Sequence, residues 1–223
     1  MFEFIAACCN EHALAWDCAT GNGQAARSLQ PYFRKIIATD ASERQIASAV
    51  ATDGIEFGVA RAEHSALVES SVDLVTVAQA LHWFDIGAFF AEAKRVLKPG
   101  GVLAFWCYQN CNVDRDIDAA CEQIFAEVDD FWPPERDIVE EQYPSLDMPF
   151  DDLAADEFSM TTNWTADDLL NYMRTWSASQ RYIVANGNDP TEICRGRLKI
   201  LWGDGRRTVN WPITIRIGRN SGA

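Results

Sequence analysis

Basic residues are scarce in this 223-residue chain, in which 19 Lys and Arg face 33 Asp and Glu for a formal charge of -14. Such a surface repels a phosphate backbone, whose binding relies on cationic side chains releasing counterions, and this argues against nucleic acid as a partner. Histidine is scarcer still, at three residues. The seven cysteines (Cys8, Cys9, Cys18, Cys107, Cys111, Cys121 and Cys194) include no Cys-x-x-Cys pair, so a zinc site is not expected and no metal is assigned. No apolar run reaches the length of about 18 residues that a membrane span needs, and the start, MFEFIAACCN, lacks the basic flank of a secretory signal. A cytoplasmic protein with reduced thiols and no membrane association is the simplest expectation.

What is present is a hydrophobic content of 48%, enough for a full core in one domain carrying an insertion. Short apolar runs alternate with helical patterns, which predicts βαβ units and a parallel sheet. Strands are expected at Leu14 to Asp17, Lys35 to Thr39, Ile55 to Val59, Val72 to Val77 and Val102 to Cys107, with helices at Gly23 to Leu29, Ser42 to Val50 and Asp85 to Leu97. Lys98-Pro99-Gly100-Gly101 reads as a helix stop and a turn into the next strand. Beyond Tyr108 the pattern loosens into an acidic helix over about Asn112 to Val128, a break at Pro133-Pro134 and a segment with Pro144 and Pro149. Residues 114 to 168 hold 18 of the acids and only two basic residues, Arg115 and Arg136. This stretch reads as a solvated acidic surface, or as a cap that suits a cationic or neutral ligand. A strand at Glu157 to Thr162, helices from Thr165 to about Ala185 and from Pro190 to about Lys199, and a strand at Thr208 to Ile217 complete the chain. The divisions are 1–110, 111–156 and 157–223 of a single domain.

The segment Trp16-Asp17-Cys18-Ala19-Thr20-Gly21-Asn22-Gly23-Gln24 passes from a strand end into a helix through small residues. Backbone N–H groups in such a loop can approach a ligand closely, because glycine has no Cβ in the way. Gly21-x-Gly23-x-x-Ala26 also fits a dinucleotide fingerprint, with Asp40 near the expected distance of about 20 residues. Asp17 counts against that reading, since a carboxylate at the strand tip would face a pyrophosphate of like charge. A sulfonium cation would favour it. Asp40, after the second strand, can accept from both hydroxyls of a ribose in either nucleotide.

Asp17-x-Ala19-x-Gly21-x-Gly23, Asp40, Ala62-Glu63, Val72-Asp73-Leu74-Val75 and Leu97-Lys98-Pro99-Gly100-Gly101 resemble the successive motifs of class I S-adenosylmethionine-dependent methyltransferases. Gln79-Ala80-Leu81-His82-Trp83-Phe84-Asp85 and Thr175-Trp176-Ser177 are similar to the small-molecule branch that includes trans-aconitate methyltransferase. The resemblance implies an α/β, doubly wound, Rossmann-like sheet of seven strands, mostly parallel with an antiparallel last strand, and a helical insertion after strand 5. It implies S-adenosylmethionine as cofactor. Asp17, Ala19, Gly21 and Gly23 would line the methionine moiety, with Thr20 and Gln24 beside them. Asp40 would hold the ribose, next to Ala41, while Ala62 and Glu63 would meet the adenine edge and Gln79 the methionyl part. The family usually has glycine where this chain has Ala19, and a longer segment before the first strand, so either the sequence is incomplete there or the protein closes its site otherwise.

Methyl transfer from a sulfonium is an in-line displacement that needs alignment and exclusion of water rather than a metal. His82 and Trp83 are the candidate catalytic residues where cofactor meets acceptor: His82 as a base for a hydroxyl or amine, or as a packing residue, and Trp83 as an aromatic face for the cation. A carboxylate acceptor would call for an arginine, with Arg174 and Arg181 as candidates, and Trp176, with Trp132 and Trp164, as an apolar lining or core. The expected partner is a small-molecule methyl acceptor, and the expected state a monomer or homodimer. The alternatives are a cofactor-binding protein without catalysis and an NAD-dependent oxidoreductase.

Overall fold

Apolar runs of the first half become strands because helices cover both faces of the sheet they form. In the computed structural model, which describes residues 1–108, 110–133, 143 and 146–222, these strands are β1 (Leu14–Cys18), β2 (Lys35–Asp40), β3 (Ile55–Val59), β4 (Val72–Ala78) and β5 (Leu97–Tyr108). β1 and β4 are buried almost throughout, as central strands of a two-sided parallel sheet must be. The order is β3-β2-β1-β4-β5, and all four pairings are parallel. From β1 the chain builds outward to β3, then returns to place β4 on the other side of β1. Such a reversal opens a crevice at the carboxyl ends of the strands that flank it.

The helices of this half are α1 (Phe2–Ala7), α2 (Gln24–Leu29), α3 (Glu43–Ala47) and α4 (Ile86–Val96). α4 buries Phe89, Phe90, Ala93 and Val96 along one stripe, and Asp85 caps it by accepting from Ala88 N at 3.1 Å. α1 is absent from the sequence reading. α3 stops at Ala47, short of the expected Val50, because it buries no residue and short helices without packing do not propagate. Lys98 to Gly101 also differ from expectation, lying within β5 rather than in a turn before it. Val72 pairs with Leu97 and Leu74 with Val102, so these residues bulge out of register. Gly101 makes the bulge possible, since a Cβ there would come within 2.9 Å of Lys98 O and 3.2 Å of Val72 O.

The remaining elements are α5 (Arg115–Val128), β6 (Asp151–Leu153), β7 (Phe158–Trp164), α6 (Ala166–Arg174), α7 (Ser177–Asn186), α8 (Glu192–Trp202) and β8 (Arg207–Arg219). The strand path runs from β5 to β8 and then β6, with β7 pairing β8 off that path. The fold is therefore the expected Rossmann-like one, with eight strands among the described residues instead of seven. β6 pairs antiparallel with β8. The helix expected from Thr165 to Ala185 is split at Thr175 and Trp176, where Trp176 turns to ψ 142°. Pro134, Arg136 and Pro144 lie outside the described residues.

By internal contacts the chain forms two units, one of Met1–Tyr108, Ile138–Phe158 and Thr214–Ala223, the other of Gln109–Asp137 and Ser159–Ile213. The first has its core in Trp16, Leu74, Phe89, Leu103 and Phe105, and the second buries Ile117, Ile124, Leu169, Leu170, Leu198 and Trp202. Among the described residues, no helix is long and apolar enough to cross a membrane.

Candidate active site

The loop leaving β1 is drawn across the tips of β1 and β2 by hydrogen bonds. Thr20 N donates to Thr39 O at 2.9 Å, Gly21 N to Asp40 Oδ2 at 2.9 Å, and Gly23 N to Thr20 O at 3.0 Å. Asp40 Oδ1 accepts from Ser42 N at 2.8 Å, and Ser42 in turn caps α3 by accepting from Gln45 N. Ala19, Gly21 and Gly23 have φ of 54°, 59° and 89°. At Gly23 the absence of a side chain is doubly required, because a Cβ would lie 2.7 Å from the Phe57 ring. At Gly21 a Cβ would meet nothing within 4 Å, so the loop has an open side next to the Asp40 carboxylate.

The other expected cofactor residues gather at the same carboxyl ends. Ala62, buried, and Glu63 follow β3, while Gln79, His82 and Trp83 follow β4. Gln24 opens α2, and Ala41 lies exposed beyond Asp40. The chain leaves β4 through Gln79 at φ 54°, so both strands at the crevice end in a non-glycine residue held in the left-handed region, a form of strain that gathers at functional sites. Leu81 to Trp83 then make one tight helical turn. His82 is half-buried, Trp83 is 61% exposed, and their rings lie 4.8 Å apart.

A family model described as a methyltransferase domain matches residues 16–105. A candidate methyltransferase of Dictyostelium discoideum is 34% identical over 229 residues, spanning 98% of this chain and 87% of its own. The solved structure of a candidate type II methyltransferase of Anaeromyxobacter dehalogenans matches with a TM-score of 0.93 at 36% identity, over 100% of this chain and 96% of that one. A further candidate methyltransferase, from Bacillus halodurans, shares the fold at a TM-score of 0.57 and 21% identity, over 99% of this chain and 97% of that one. The chain belongs to the class I S-adenosylmethionine-dependent methyltransferases.

That membership sets aside the NAD-dependent oxidoreductase and makes S-adenosylmethionine the cofactor of this methyltransferase. The residues present suit it. An ionised carboxylate offers about four lone-pair positions; Asp40 uses two of them on Gly21 N and Ser42 N, leaving capacity for the two hydroxyls of a ribose. The open side of Gly21 lies beside that carboxylate.

Three cofactor candidates differ in geometry from the sequence reading. Asp17 does not offer a carboxylate to the crevice: it is 0% exposed, Oδ2 accepts from Thr20 Oγ1 at 2.5 Å, and Oδ1 accepts from Thr76 Oγ1 at 2.8 Å. Burial pushes its carboxyl up to about 6, against the pull of the Thr20 and Thr76 hydroxyls and with the nearby Asp40 adding to the rise. It faces the neighbouring strand β4 and shapes the loop from beneath. The Gln79 amide is engaged at both ends, accepting from Tyr108 N at 2.8 Å and donating to Tyr108 O at 3.2 Å, which splices the tips of β4 and β5. Glu63 accepts from Asp85 N at 3.1 Å and from Arg61 Nε at 3.4 Å. Burial opposes its ionisation, but backbone donors and Arg61 bring its carboxyl below the ordinary value, so its first task is to tie the loop after β3 to the cap of α4.

Arg174, Arg181 and Trp176 belong to the second unit. Arg174 pairs with Asp189 at 3.2 Å, and Arg181 donates to Phe131 O at 3.4 Å. Trp176 stacks on Phe125 at 4.8 Å and lies 5.8 Å from Trp132, while Trp164 packs edge-on to Trp211 at 5.0 Å. Sequence reasoning missed Thr76 and Glu92. Thr76 interrupts the apolar run from Leu74 to Ala78 in β4, and Glu92 sits on the buried stripe of α4, where it accepts from Ser65 N and Oγ at 2.8 and 2.6 Å and from Arg95 at 2.7 Å. A lone polar residue on a buried face was the available signal in both cases. A cavity of about 170 Å³ bordered by Glu11, Asp73 and Lys98 lies at the opposite ends of the strands. There Lys98 bridges Glu11 and Asp73, and Asp73 accepts from Ala13 N and Leu14 N at the start of β1; its role is structural.

Proposed function

We propose that this methyltransferase modifies a small organic molecule at a hydroxyl or amine. The observation that carries this reading is the turn that follows β4, where half-buried His82, a candidate base, stands beside Trp83 with their rings 4.8 Å apart. The formal charge of -14 disfavours a nucleic-acid acceptor. A carboxylate acceptor is supported less well, because Arg174 and Arg181 are already engaged with Asp189 and Phe131.

The cofactor, when bound, supplies an electrophilic methyl on a positively charged sulfur. The chain's own residues do the positioning: Asp40 holds the ribose, the loop from Ala19 to Gly23 supplies close backbone, and Trp83 excludes water beside the acceptor. Half-buried His82 takes the acceptor proton, a role worth roughly 10²- to 10⁴-fold in rate.

Transfer of isotope-labelled methyl from S-adenosylmethionine across panels of alcohols and phenols, amines, and carboxylic acids tests the reading. Labelling of alcohols or amines that is lost in His82→Ala supports it. Labelling of carboxylic acids alone refutes it. Binding of S-adenosylhomocysteine without transfer to any panel would favour a cofactor-binding protein without catalysis.

A further inference from the structure

Tyr143 lies outside every cofactor motif, yet it is fully buried in the first unit. Its hydroxyl accepts from Leu81 N at 3.1 Å, and its ring packs edge-on against Phe105 at 5.7 Å and 70°. Its carbonyl accepts from Arg216 Nη1 at 3.3 Å. The same guanidinium donates to Leu146 O at 3.1 Å and to Asp152 Oδ1 at 2.8 Å, so the residue is held at the backbone, the ring and the hydroxyl.

Leu81 opens the turn that carries His82 and Trp83. The first amides of a helical turn have no acceptor within the turn itself, and a buried amide requires one. A buried phenol likewise requires a partner for its oxygen. Each satisfies the other here. Immediately before the turn, Gln79 is fixed to Tyr108, so the segment from Gln79 to Trp83 is set by two side-chain anchors and then projects the exposed indole.

We propose that Tyr143 is a positioning residue for methyl transfer, its hydroxyl fixing the turn that presents His82 and Trp83. The proposal rests on the reading of that turn as the acceptor side of the cofactor. A phenylalanine at position 143 fills the same volume but strips the Leu81 amide of its acceptor, and the turn relaxes away from its productive position.

Full-length protein labelled with 5-fluorotryptophan tests this by fluorine NMR, with the Trp83 resonance assigned through Trp83→Phe. Tyr143→Phe shifts or broadens that resonance and leaves those of Trp164 and Trp211 in place. The midpoint of thermal unfolding falls by roughly 3–6 °C, as loss of one buried hydrogen-bond acceptor implies. Should that variant fold poorly, Arg216→Lys, which loosens the grip on the Tyr143 carbonyl, moves the same resonance. An unmoved Trp83 signal in folded Tyr143→Phe overturns the proposal. Titration of wild-type protein with S-adenosylhomocysteine separates the underlying reading: it moves the Trp83 signal if the turn borders the cofactor, and a Trp83 signal indifferent to saturating ligand overturns that reading instead.

Discussion

Replacing Asp17 by asparagine converts the most deeply buried carboxylate of the cofactor loop into a neutral group of the same shape. Its carboxyl is pushed from 3.8 up to about 6 in the folded protein, chiefly by burial, with Thr20 and Thr76 opposing and Asp40 contributing. An acid raised on folding holds its proton longer in the native state, so the cost of ionising Asp17 is absent below pH 3.8 and grows as pH rises to about 6. At 1.36 kcal/mol per pH unit this burial of charge costs about 3 kcal/mol at neutral pH. Asp17→Asn removes the cost while its amide oxygen still accepts from one threonine. Relative to wild type, the variant therefore gains about 2.5 kcal/mol between pH 4 and pH 7, read as a rise of roughly 5–10 °C in the difference between their unfolding midpoints. Thermal unfolding of both proteins at pH 4, 5, 6 and 7 measures it. A difference that stays flat across that range refutes the reasoning, because it would mean that the Asp17 carboxyl titrates alike in the folded and unfolded chain.

The two glycines of the loop separate stability from binding. Gly23→Ala forces a Cβ to within 2.7 Å of the Phe57 ring at φ 89° and should cost about 2–4 kcal/mol by denaturant unfolding. Gly21→Ala meets only open space at φ 59°; it should cost about 1 kcal/mol in stability yet weaken S-adenosylhomocysteine at least tenfold by calorimetry, as its methyl occupies ligand volume. Ala19→Gly relieves a strained φ of 54° and should stabilise by about 0.5–1 kcal/mol after the larger unfolded-state entropy of glycine is subtracted; a loss of stability would contradict the strain. Glu92, whose carboxyl is brought down to about 2 by Arg95 despite burial, with Ser65 assisting, contributes stability that is present above pH 4.5 and lost as pH falls toward 2. Because Arg95 is 38% exposed, screening leaves about 1–2 kcal/mol of it, and Glu92→Gln should lower unfolding midpoints at pH 7 but not near pH 2.

The sheet was legible because its central strands carry apolar runs that only a two-sided parallel sheet explains, and because glycines mark the loop that must turn tightly between β1 and α2. The bulge in β5 was not, since Lys-Pro-Gly-Gly serves a turn and a bulge equally well and only the pairing of Val72 with Leu97 decides between them. Which residues gather at the strand tips followed from order along the chain. Where each side chain points did not. Asp17 and Asp40 both lie near the carboxyl ends of neighbouring strands, yet one is sealed between Thr20 and Thr76 and the other binds two loop amides with lone pairs to spare. The difference arises from Thr76, 59 residues from Asp17 in sequence and adjacent to it only once β4 is laid beside β1. A hydroxyl there draws the first carboxylate inward, while Asp40 keeps unused lone pairs beside the open side of Gly21. A long-range donor of this kind leaves no periodic trace, which is why spacing fixes the position of a residue along the chain but not the direction of its side chain.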